Sequence, residues 1–154
     1  MRRFLIQLLI LGVVCGDMAV ASVVKGVVVN CDLGPRAPVS LLEIRVFDTT
    51  KVPRLAASIK ALESPEHVGE KEATRRLDAM IRIGRASTPL GQIKTDRSGL
   101  FRIEIPNSTT KIIIFGYGER EDYPYFYTYQ QASALPRSTV DLALEIGQYC
   151  TPVK

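Results

Sequence analysis

The segment formed by residues 91–106 constrains the fold of this 154-residue chain more than any other part of the sequence. Apolar residues occupy every second position from 101 to 105, which is the period of two of a half-buried strand. Before them, Asp96 favours a turn because its carboxylate accepts local backbone hydrogen bonds, and Gly99 adopts positive φ without steric cost. Pro106 ends the second strand, since it has no N–H for the ladder. The segment therefore predicts a β-hairpin.

Seven short segments with strand composition follow one another along the chain, separated by turn residues. They are rich in β-branched and aromatic residues, and several alternate apolar with polar side chains. Many short strands of this kind indicate a sandwich or a barrel rather than a parallel sheet. The predicted strands span residues 23–30, 39–48, 88–95, 100–105, 111–117, 125–131 and 139–145.

One segment breaks this pattern, because over residues 52–83 the apolar period changes from two to about 3.6. Leu55 and Ile59 are four residues apart, and residues 70–83 separate apolar from charged positions as an amphipathic helix does. Gly84 is the predicted end of the second helix. We expect this helical insert to lie outside the sandwich and to pack four side chains on each other or on a sheet face: Leu55, Ile59, Leu77 and Met80.

Residues 1–21 have the three parts of a secretory signal peptide. Residues 1–3 are Met-Arg-Arg, residues 4–14 are almost entirely apolar, and residues 19–21 are Ala-Val-Ala before the predicted cleavage site. The apolar run is shorter than the roughly 20 residues that a bilayer core requires. The sequence therefore predicts export, to the periplasm or outside the cell, with no stable membrane span after cleavage. A retained anchor and a lipoprotein signal around Cys15 are the alternatives.

The remaining residues, 22–154, are enough for a single domain with one buried core. The formal net charge of the chain is only +4 and the basic residues are scattered, so no nucleic-acid partner is predicted. Cys31 and Cys150 follow the first and last predicted strands. Two cysteines in an exported domain favour a disulfide bond between them, with two buried thiols as the alternative. With so few cysteines and one histidine, we expect no metal site.

Taken in order, these strands and turns resemble the carboxypeptidase regulatory-like domain family, whose fold is a prealbumin-like (transthyretin-like) β-sandwich. The resemblance implies an all-β, seven-stranded sandwich and a non-catalytic role as a scaffold, appendage or binding module. The helical insert at about 52–83 departs from the family, which normally has a short connection there. The matching pieces are Thr-Asp-x-x-Gly-x-Phe at 95–101, its most specific part, with Lys-Gly-Val-Val at 25–28, Gly-Pro at 34–35, Ile-Arg-Val-Phe-Asp at 44–48, Ile-Pro at 105–106 and Phe-Gly-Tyr at 115–117.

The sequence offers few residues for catalysis or for a cofactor. His67 is the only histidine and lies in the predicted link between the two helices, where an exposed loop residue is the favoured interpretation. Glu119, Glu121 and Asp122 could perform acid–base chemistry or hold Ca²⁺, but Arg120 stands among them and a solvated loop is favoured. Hydroxyisourate hydrolases share the prealbumin-like fold, yet their several histidines and C-terminal Tyr-Arg-Gly-Ser are absent. No catalytic residue, cofactor or metal ligand is predicted.

Four tyrosines at alternate positions are the strongest candidate for a binding face: Tyr123, Tyr125, Tyr127 and Tyr129. A period of two places them on one face of a strand. An exposed face of this kind would stack on sugar rings or on a partner, whereas a packed one would belong to a core. The sequence therefore predicts an exported, non-catalytic β-sandwich that serves as a binding or structural module for an unknown protein or carbohydrate. A carbohydrate-binding module that uses this aromatic face is the first alternative, and a hydrolase with an unrecognised site is the second.

Overall fold

In the computed structural model, the chain forms a β-sandwich of two four-stranded sheets with two helices inserted between two of its strands. This architecture confirms the predicted all-β fold class and the helical insert. Residues 1–20 of the predicted signal peptide, together with His67 and Cys150, lie outside the described residues. The structure describes residues 21–32, 37–64, 68–120 and 123–146.

Eight strands and two helices make up the described part of the chain. The strand that the sequence analysis did not predict has only two residues and pairs with the end of the first strand. The strands are β1 (Ser22–Asn30), β2 (Ala37–Pro38), β3 (Glu43–Asp48), β4 (Gly91–Lys94), β5 (Leu100–Ile105), β6 (Lys111–Arg120), β7 (Tyr123–Ser133) and β8 (Thr139–Ile146), and the helices are α1 (Pro53–Leu62) and α2 (Glu70–Ala86).

β1 lies at the centre of the first sheet, which we call sheet A. On one side it pairs in parallel with β8, residues 23–30 against 139–146. On the other side, residues 22–27 pair antiparallel with β5 and residues 29–30 pair antiparallel with β2. Both edges of β1 are therefore covered, in keeping with its valine-rich sequence.

The second sheet, sheet B, has the order β4-β3-β6-β7, and all of its strands are antiparallel. Side chains alternate along β3, so that Ile44 and Val46 face sheet A while Phe47 faces the other way. The two sheets enclose the cluster that we call the sandwich core: Val24, Val28, Leu42, Ile44, Val46, Phe101, Ile103, Ile105, Ile112, Ile114, Ala134, Leu144 and Ile146.

The turn between β4 and β5 has the predicted chemistry but joins the two sheets. Asp96 Oδ1 accepts hydrogen bonds from the backbone N–H groups of Ser98 (2.8 Å) and Leu100 (2.9 Å), and Gly99 has φ 72°. A Cβ atom on Gly99 would lie 2.5 Å from the carbonyl oxygen of Val28 in β1. Because β4 pairs only within sheet B and β5 within sheet A, the expectation of a hairpin is wrong.

The predicted strand at residues 39–48 begins later than expected, at Glu43. The residues before it are held by Thr95, whose Oγ1 donates to the Val39 carbonyl oxygen (2.7 Å) and accepts from the Leu42 N–H (3.0 Å). Between these two contacts Leu41 has φ 61°, a left-handed conformation that interrupts a strand. The Thr95 side chain and backbone hydrogen bonds to Val28 and Thr95 therefore hold this stretch without forming a regular strand.

Both helices cover the outer face of sheet B, which is the face opposite the sandwich core. Pro53 begins α1, and Arg76 Nη1 of α2 donates to the Ala61 carbonyl oxygen (3.1 Å) at the end of α1. Neither α1 nor α2 is long and apolar enough to cross a membrane. The predicted packing is confirmed, with Leu77 partly buried. The buried residues between helices and sheet, which we call the helix-side cluster, are Phe47, Val52, Leu55, Ile59, Met80, Ile81, Ile113 and Phe115.

α2 continues to Ala86, past the glycine that the sequence analysis took as its end. Gly84 is buried, and a Cβ atom there would lie 2.9 Å from Cε1 of Phe115. The helix ends instead at Ser87, whose N–H and hydroxyl both donate to the Ile83 carbonyl oxygen, at 3.0 and 2.8 Å. The prediction of a stop at Gly84 is wrong, since this glycine allows α2 to approach sheet B closely.

Candidate functional site

Three tyrosines lie at the rim of the helix-side cluster, and we call them the tyrosine row: Tyr117, Tyr127 and Tyr129. Tyr117 of β6 stands opposite Tyr127 of β7, and Tyr129 stands opposite the fully buried Phe115. Paired positions on one face bring side chains into contact across the ladder. Each of the three is half-buried, so each packs one part of its ring on the cluster and presents the rest to solvent.

The other two predicted tyrosines, Tyr123 and Tyr125, belong to the start of β7. The register of β6 and β7 shifts between Gly118 and Arg120, so one strand carries an extra residue there. The strict period of two that the sequence analysis assumed for all four tyrosines is therefore interrupted in the backbone. The side chains of Tyr123 and Tyr125 lie outside the described part of the structure, and their membership of a common face stays a prediction.

A concave pocket of about 550 Å³ adjoins the row between α2 and β6, and we call it the arginine pocket. Arg82 and Arg85 line it from one side of α2, where residues three apart are neighbours. Asp78 contributes a carboxylate, and Tyr117 belongs to both the pocket and the tyrosine row. The complete lining is Asp78, Ile81, Arg82, Arg85, Ala86 and Tyr117.

Arg85 is held against the ring of Tyr117. Its Cζ atom lies 4.9 Å from the ring centroid, and its Nη1 donates to the Tyr117 hydroxyl oxygen at 3.3 Å. A guanidinium over an aromatic face is attracted by the negative charge density of that face. The contact fixes a cation beside the pocket while the arginine stays exposed.

The end of α2 beside the pocket is covered by a third arginine. Arg45 of β3 forms an ion pair with Glu43, and its Nη1 donates to the carbonyl oxygens of Gly84 (3.4 Å) and Arg85 (2.8 Å). Carbonyl groups at a helix C-terminus carry partial negative charge, which would repel an anion. Arg45 binds two of these carbonyl oxygens. Their partial negative charge is therefore compensated by Arg45 and does not offset the positive charges of Arg82 and Arg85.

The opposite end of the tyrosine row has a different charge. Burial raises the pKa of Tyr129 above its usual value of 10.0, and the nearby carboxylates and phenols of Glu63 and Tyr127 raise it further. Glu63 lies at the C-terminal end of α1, whereas Arg85 lies in the last turn of α2. Among the described side chains, the guanidinium of Arg85 thus lies beside Tyr117, and the carboxylate of Glu63 is close enough to Tyr129 to influence its pKa.

Contacts within its own turn shift the pKa of the Asp48 carboxyl. Hydrogen bonds from the Thr50 hydroxyl (2.7 Å) and N–H (2.9 Å) hold the pKa of the Asp48 carboxyl below its usual range in the turn before α1. In the described ranges no three His, Cys, Asp or Glu side chains gather into a possible metal site.

Cys31 follows β1, and its N–H donates to the Ile146 carbonyl oxygen at 3.0 Å. The predicted bond to Cys150 stays a prediction.

Sequence reasoning missed Tyr117, Arg82 and Arg85 as members of this surface. A signal for Tyr117 existed, since it continues the alternation of Ile113 and Phe115 along β6. The arginines gave no such signal, because exposed arginines on an amphipathic helix are ordinary. Only the packing of α2 on sheet B brings them beside the tyrosines.

No protein-family model matches the chain, and no curated protein matches its sequence. In structure it is similar to a minor pilin of Streptococcus agalactiae, with 12% identity and a TM-score of 0.44 over 87% of this chain and 47% of the pilin chain. It is also similar to the shaft pilin SpaA of Lactobacillus rhamnosus GG, with 10% identity and a TM-score of 0.49 over 84% of this chain and 50% of that one. The chain thus spans about half the length of these solved structures. Likenesses this distant carry no argument about function, and the carboxypeptidase regulatory-like family stays a resemblance.

Proposed function

We propose that this protein is an exported, non-catalytic β-sandwich module that binds a partner through the tyrosine row and the arginine pocket. The observation that carries the proposal is the continuity of these two features, because Tyr117 belongs to both. Tyrosine and arginine are the residues most suited to recognition, since each combines a flat surface with hydrogen-bonding groups. Export rests on the signal-like residues 1–21.

The protonation chemistry of the surface supports binding over catalysis. A general acid or base works best with a pKa near the working pH. Arginine keeps its proton at any such pH, and burial moves the pKa of Tyr129 away from neutrality rather than towards it. Arg82, Arg85 and Tyr129 are therefore suited to orienting and holding a ligand rather than to exchanging protons with it. We therefore expect a bound ligand to be released unchanged.

A carbohydrate is the second candidate partner beside a protein. The half-buried rings of the tyrosine row leave flat apolar surface next to phenolic hydroxyls, on two adjacent strands that hold them rigidly. A sugar ring has apolar C–H faces and a rim of hydroxyls, so the chemistry of the two is complementary. Fixed strands also lower the conformational entropy that binding would otherwise cost.

Site-specific photo-crosslinking in cells tests for a protein partner. A photoreactive residue replaces the exposed Arg82 in the full chain, and the matched control places it at Arg97, in the turn between β4 and β5. We expect an adduct from position 82 and not from position 97. Equal adducts from both positions, without glycan binding, would show non-specific contact and contradict the proposal.

A glycan array screened with the wild-type protein and with Tyr127→Ala tests the carbohydrate partner. Binding that the variant loses, with a nearly unchanged thermal midpoint, supports a binding face. A collapse of the midpoint would show that Tyr127 is core, since truncating a buried aromatic residue costs about 3–5 kcal/mol. Mass spectrometry of the recovered glycan checks that no bond was cleaved. Absence of both an adduct and glycan binding overturns the proposed function.

A further inference from the structure

We propose that two copies of this chain pair through the outer edge of β7, so that their two copies of sheet B join into one continuous sheet. The inference concerns the backbone of β7 and does not rest on the proposed function. β7 is the last strand of sheet B, and in the described part of the chain it pairs with β6 alone. The second copy would bind along the other edge of this strand, at residues 127–133.

The ladder between β6 and β7 decides which backbone groups point outward. The Ala134 N–H donates to the Thr110 carbonyl oxygen at 3.0 Å, as in a hydrogen-bonded pair of an antiparallel ladder. Such pairs recur at every second residue, so residues 128, 130 and 132 direct their backbone groups towards β6. The N–H and C=O groups that point away from β6, and for which the described ranges hold no hydrogen-bond partner, belong to Tyr127, Tyr129, Gln131 and Ser133.

The outermost strands of the two sheets differ in how well they resist pairing with another chain. Short length, charged side chains and proline discourage such pairing. β2 and β4 have two and four residues, and β5 and β8 each carry two charged residues. β7 has eleven residues and none is charged, and its one proline, Pro124, precedes residues 127–133. Among the described strands, β7 therefore has the least protected edge.

A second copy of the chain is the occupant that this edge favours. A straight row of backbone N–H and C=O groups is complementary to another extended strand. The β7 segment of a second copy is such a strand, because it is extended, uncharged and rich in tyrosine, which favours β-structure. Since neither strand is charged, their side chains do not repel each other. The two copies present the same surface to each other, which is the twofold arrangement of most homodimers.

The outward groups predict an antiparallel register with its twofold axis at Gln130. In that register Tyr127 lies opposite Ser133 of the second copy, and Tyr129 lies opposite Gln131 of the second copy. Each opposite pair exchanges two backbone hydrogen bonds, so every outward group of residues 127–133 obtains a partner. The register shift of the β6–β7 ladder falls outside these residues, so no bulge interrupts the edge there.

The side chains on the helix-covered face are compatible with this pairing. The rings of Tyr127 and Tyr129 are half-buried at the rim of the helix-side cluster, whereas Gln131 and Ser133 are exposed. Opposite residues of an antiparallel pair lie in contact, so the polar groups of Gln131 and Ser133 would lie beside the phenol rings of the other copy. The tyrosine rows of both copies would then lie on one face of the joined sheet.

Sedimentation equilibrium over a range of protein concentrations tests whether the dimer forms. We expect a reversible dimer, because the paired stretch of seven residues spans only about 24 Å at about 3.4 Å per residue. Gln131→Pro removes one outward N–H from each copy, and proline is tolerated where its nitrogen faces away from the ladder. Loss of two hydrogen bonds from the dimer should raise its dissociation constant about tenfold.

Charge variants at the same position provide a test that does not depend on proline. Gln131→Lys places one positive charge on each copy near the twofold axis, and like charges on neighbouring strands destabilise their pairing. We expect the dissociation constant to rise about twofold to about fivefold. An equimolar mixture of Gln131→Lys and Gln131→Glu should restore the wild-type value through a mixed dimer. Gln92→Lys makes the same change at an exposed position of β4, at the opposite edge of sheet B, and should have no effect.

Amide hydrogen exchange, measured by NMR at low and at high protein concentration, locates the contact. The N–H groups of residues 128, 130 and 132 should be protected at both concentrations, because they bond to β6. Those of residues 127, 129, 131 and 133 should become protected only at the high concentration. This alternation within one strand is specific to pairing at the β7 edge.

Two results would overturn the inference. One is a protein that remains monomeric up to about 1 mM. The other is a dimer that keeps its affinity in both Gln131 variants and leaves the outward amides unprotected, because its contact must lie elsewhere. An unchanged thermal midpoint shows that a variant is folded, and if Gln131→Pro fails this criterion, the charge variants and the exchange pattern decide. The proposed function is tested independently, because neither an adduct from position 82 nor glycan binding requires a dimer.

Discussion

The two outer faces of the sandwich differ in what covers them. On sheet A the outward positions include charged side chains, such as Lys25, whose Nζ forms an ion pair with Asp141 Oδ2 at 3.0 Å across the parallel β1–β8 pair. On sheet B the equivalent positions are Phe47, Ile113 and Phe115, which are completely buried beneath α1 and α2. The charged positions on sheet A tolerate contact with water, whereas the apolar positions on sheet B require a cover. The incomplete edge of that cover is where the tyrosine row lies.

Deleting the two helices that cover sheet B should have the largest effect on stability. β3 and β4 are antiparallel neighbours, so a short turn could replace residues 50–88. Exposing Phe47, Ile113 and Phe115 forfeits about 1.5–3 kcal/mol for each, against a total stability of about 5–15 kcal/mol for an ordinary domain. We expect aggregation in size-exclusion chromatography and loss of cooperative unfolding.

A rescue variant sharpens this test. Replacing the same three residues with threonine in the deleted chain should restore a soluble sandwich, because threonine favours strands and tolerates water. A deleted chain that stays monomeric and unfolds cooperatively without those replacements would show that sheet B does not need its cover.

The predicted disulfide between Cys31 and Cys150 would stabilise the sheet A side instead. Cys31 follows β1, next to the end of β8, through its hydrogen bond to Ile146. Removing such a bond costs about 2–5 kcal/mol, because the unfolded chain gains freedom. The double replacement by serine should lower the free energy of unfolding by this amount, measured in urea. Labelling of free thiols in the unreduced wild type would disprove the pairing.

Gly84→Ala tests how closely α2 packs on sheet B. Alanine normally favours a helix interior by about 1 kcal/mol over glycine. Here its Cβ would lie 2.9 Å from the buried ring of Phe115, so we expect a net loss of about 1–3 kcal/mol in urea denaturation. Phe115→Leu in the same chain should relieve part of the loss. Equal effects of Gly84→Ala in both backgrounds would mean that the ring is not the obstacle.

Alkaline pH should have the smallest effect on stability. It acts on Tyr129, at the rim of the helix-side cluster. The pKa of Tyr129 is raised in the folded state, so its contribution to stability is fully present below about pH 10 and is lost as pH rises through the folded pKa. Partial exposure screens this contribution and keeps it small. We expect stability to fall less steeply above pH 10 in Tyr129→Phe. Parallel pH profiles for both proteins would exclude a role for Tyr129.

The local signals in the sequence predicted most of the elements and the helical packing. The alternation along β5, the turn at Asp96 and Gly99, and the change of period in the insert each depend on neighbours in the chain. The predicted start of β3 and the predicted end of α2 were wrong, because each depends on a contact with a residue far away in the sequence. Thr95 delays the start of β3, and Phe115 gives Gly84 a packing role inside α2.

The candidate site was only partly visible in the sequence. Tyr127 and Tyr129 stood out because aromatic residues alternated along one strand, but the same pattern fits both a core and a binding face. Their half-buried state follows from how far the helices extend over sheet B. The register shift between Gly118 and Arg120 likewise depends on pairing with another strand.

Short-range physical chemistry therefore determined which segments are strands, turns and helices, since backbone preference and side-chain alternation act within a few residues. The tertiary structure alone decided which sheet each strand joined, which outer face was covered, and that Arg85 meets Tyr117. Those outcomes depend on contacts between residues far apart in the chain, and the burial of apolar surface that drives them is non-directional.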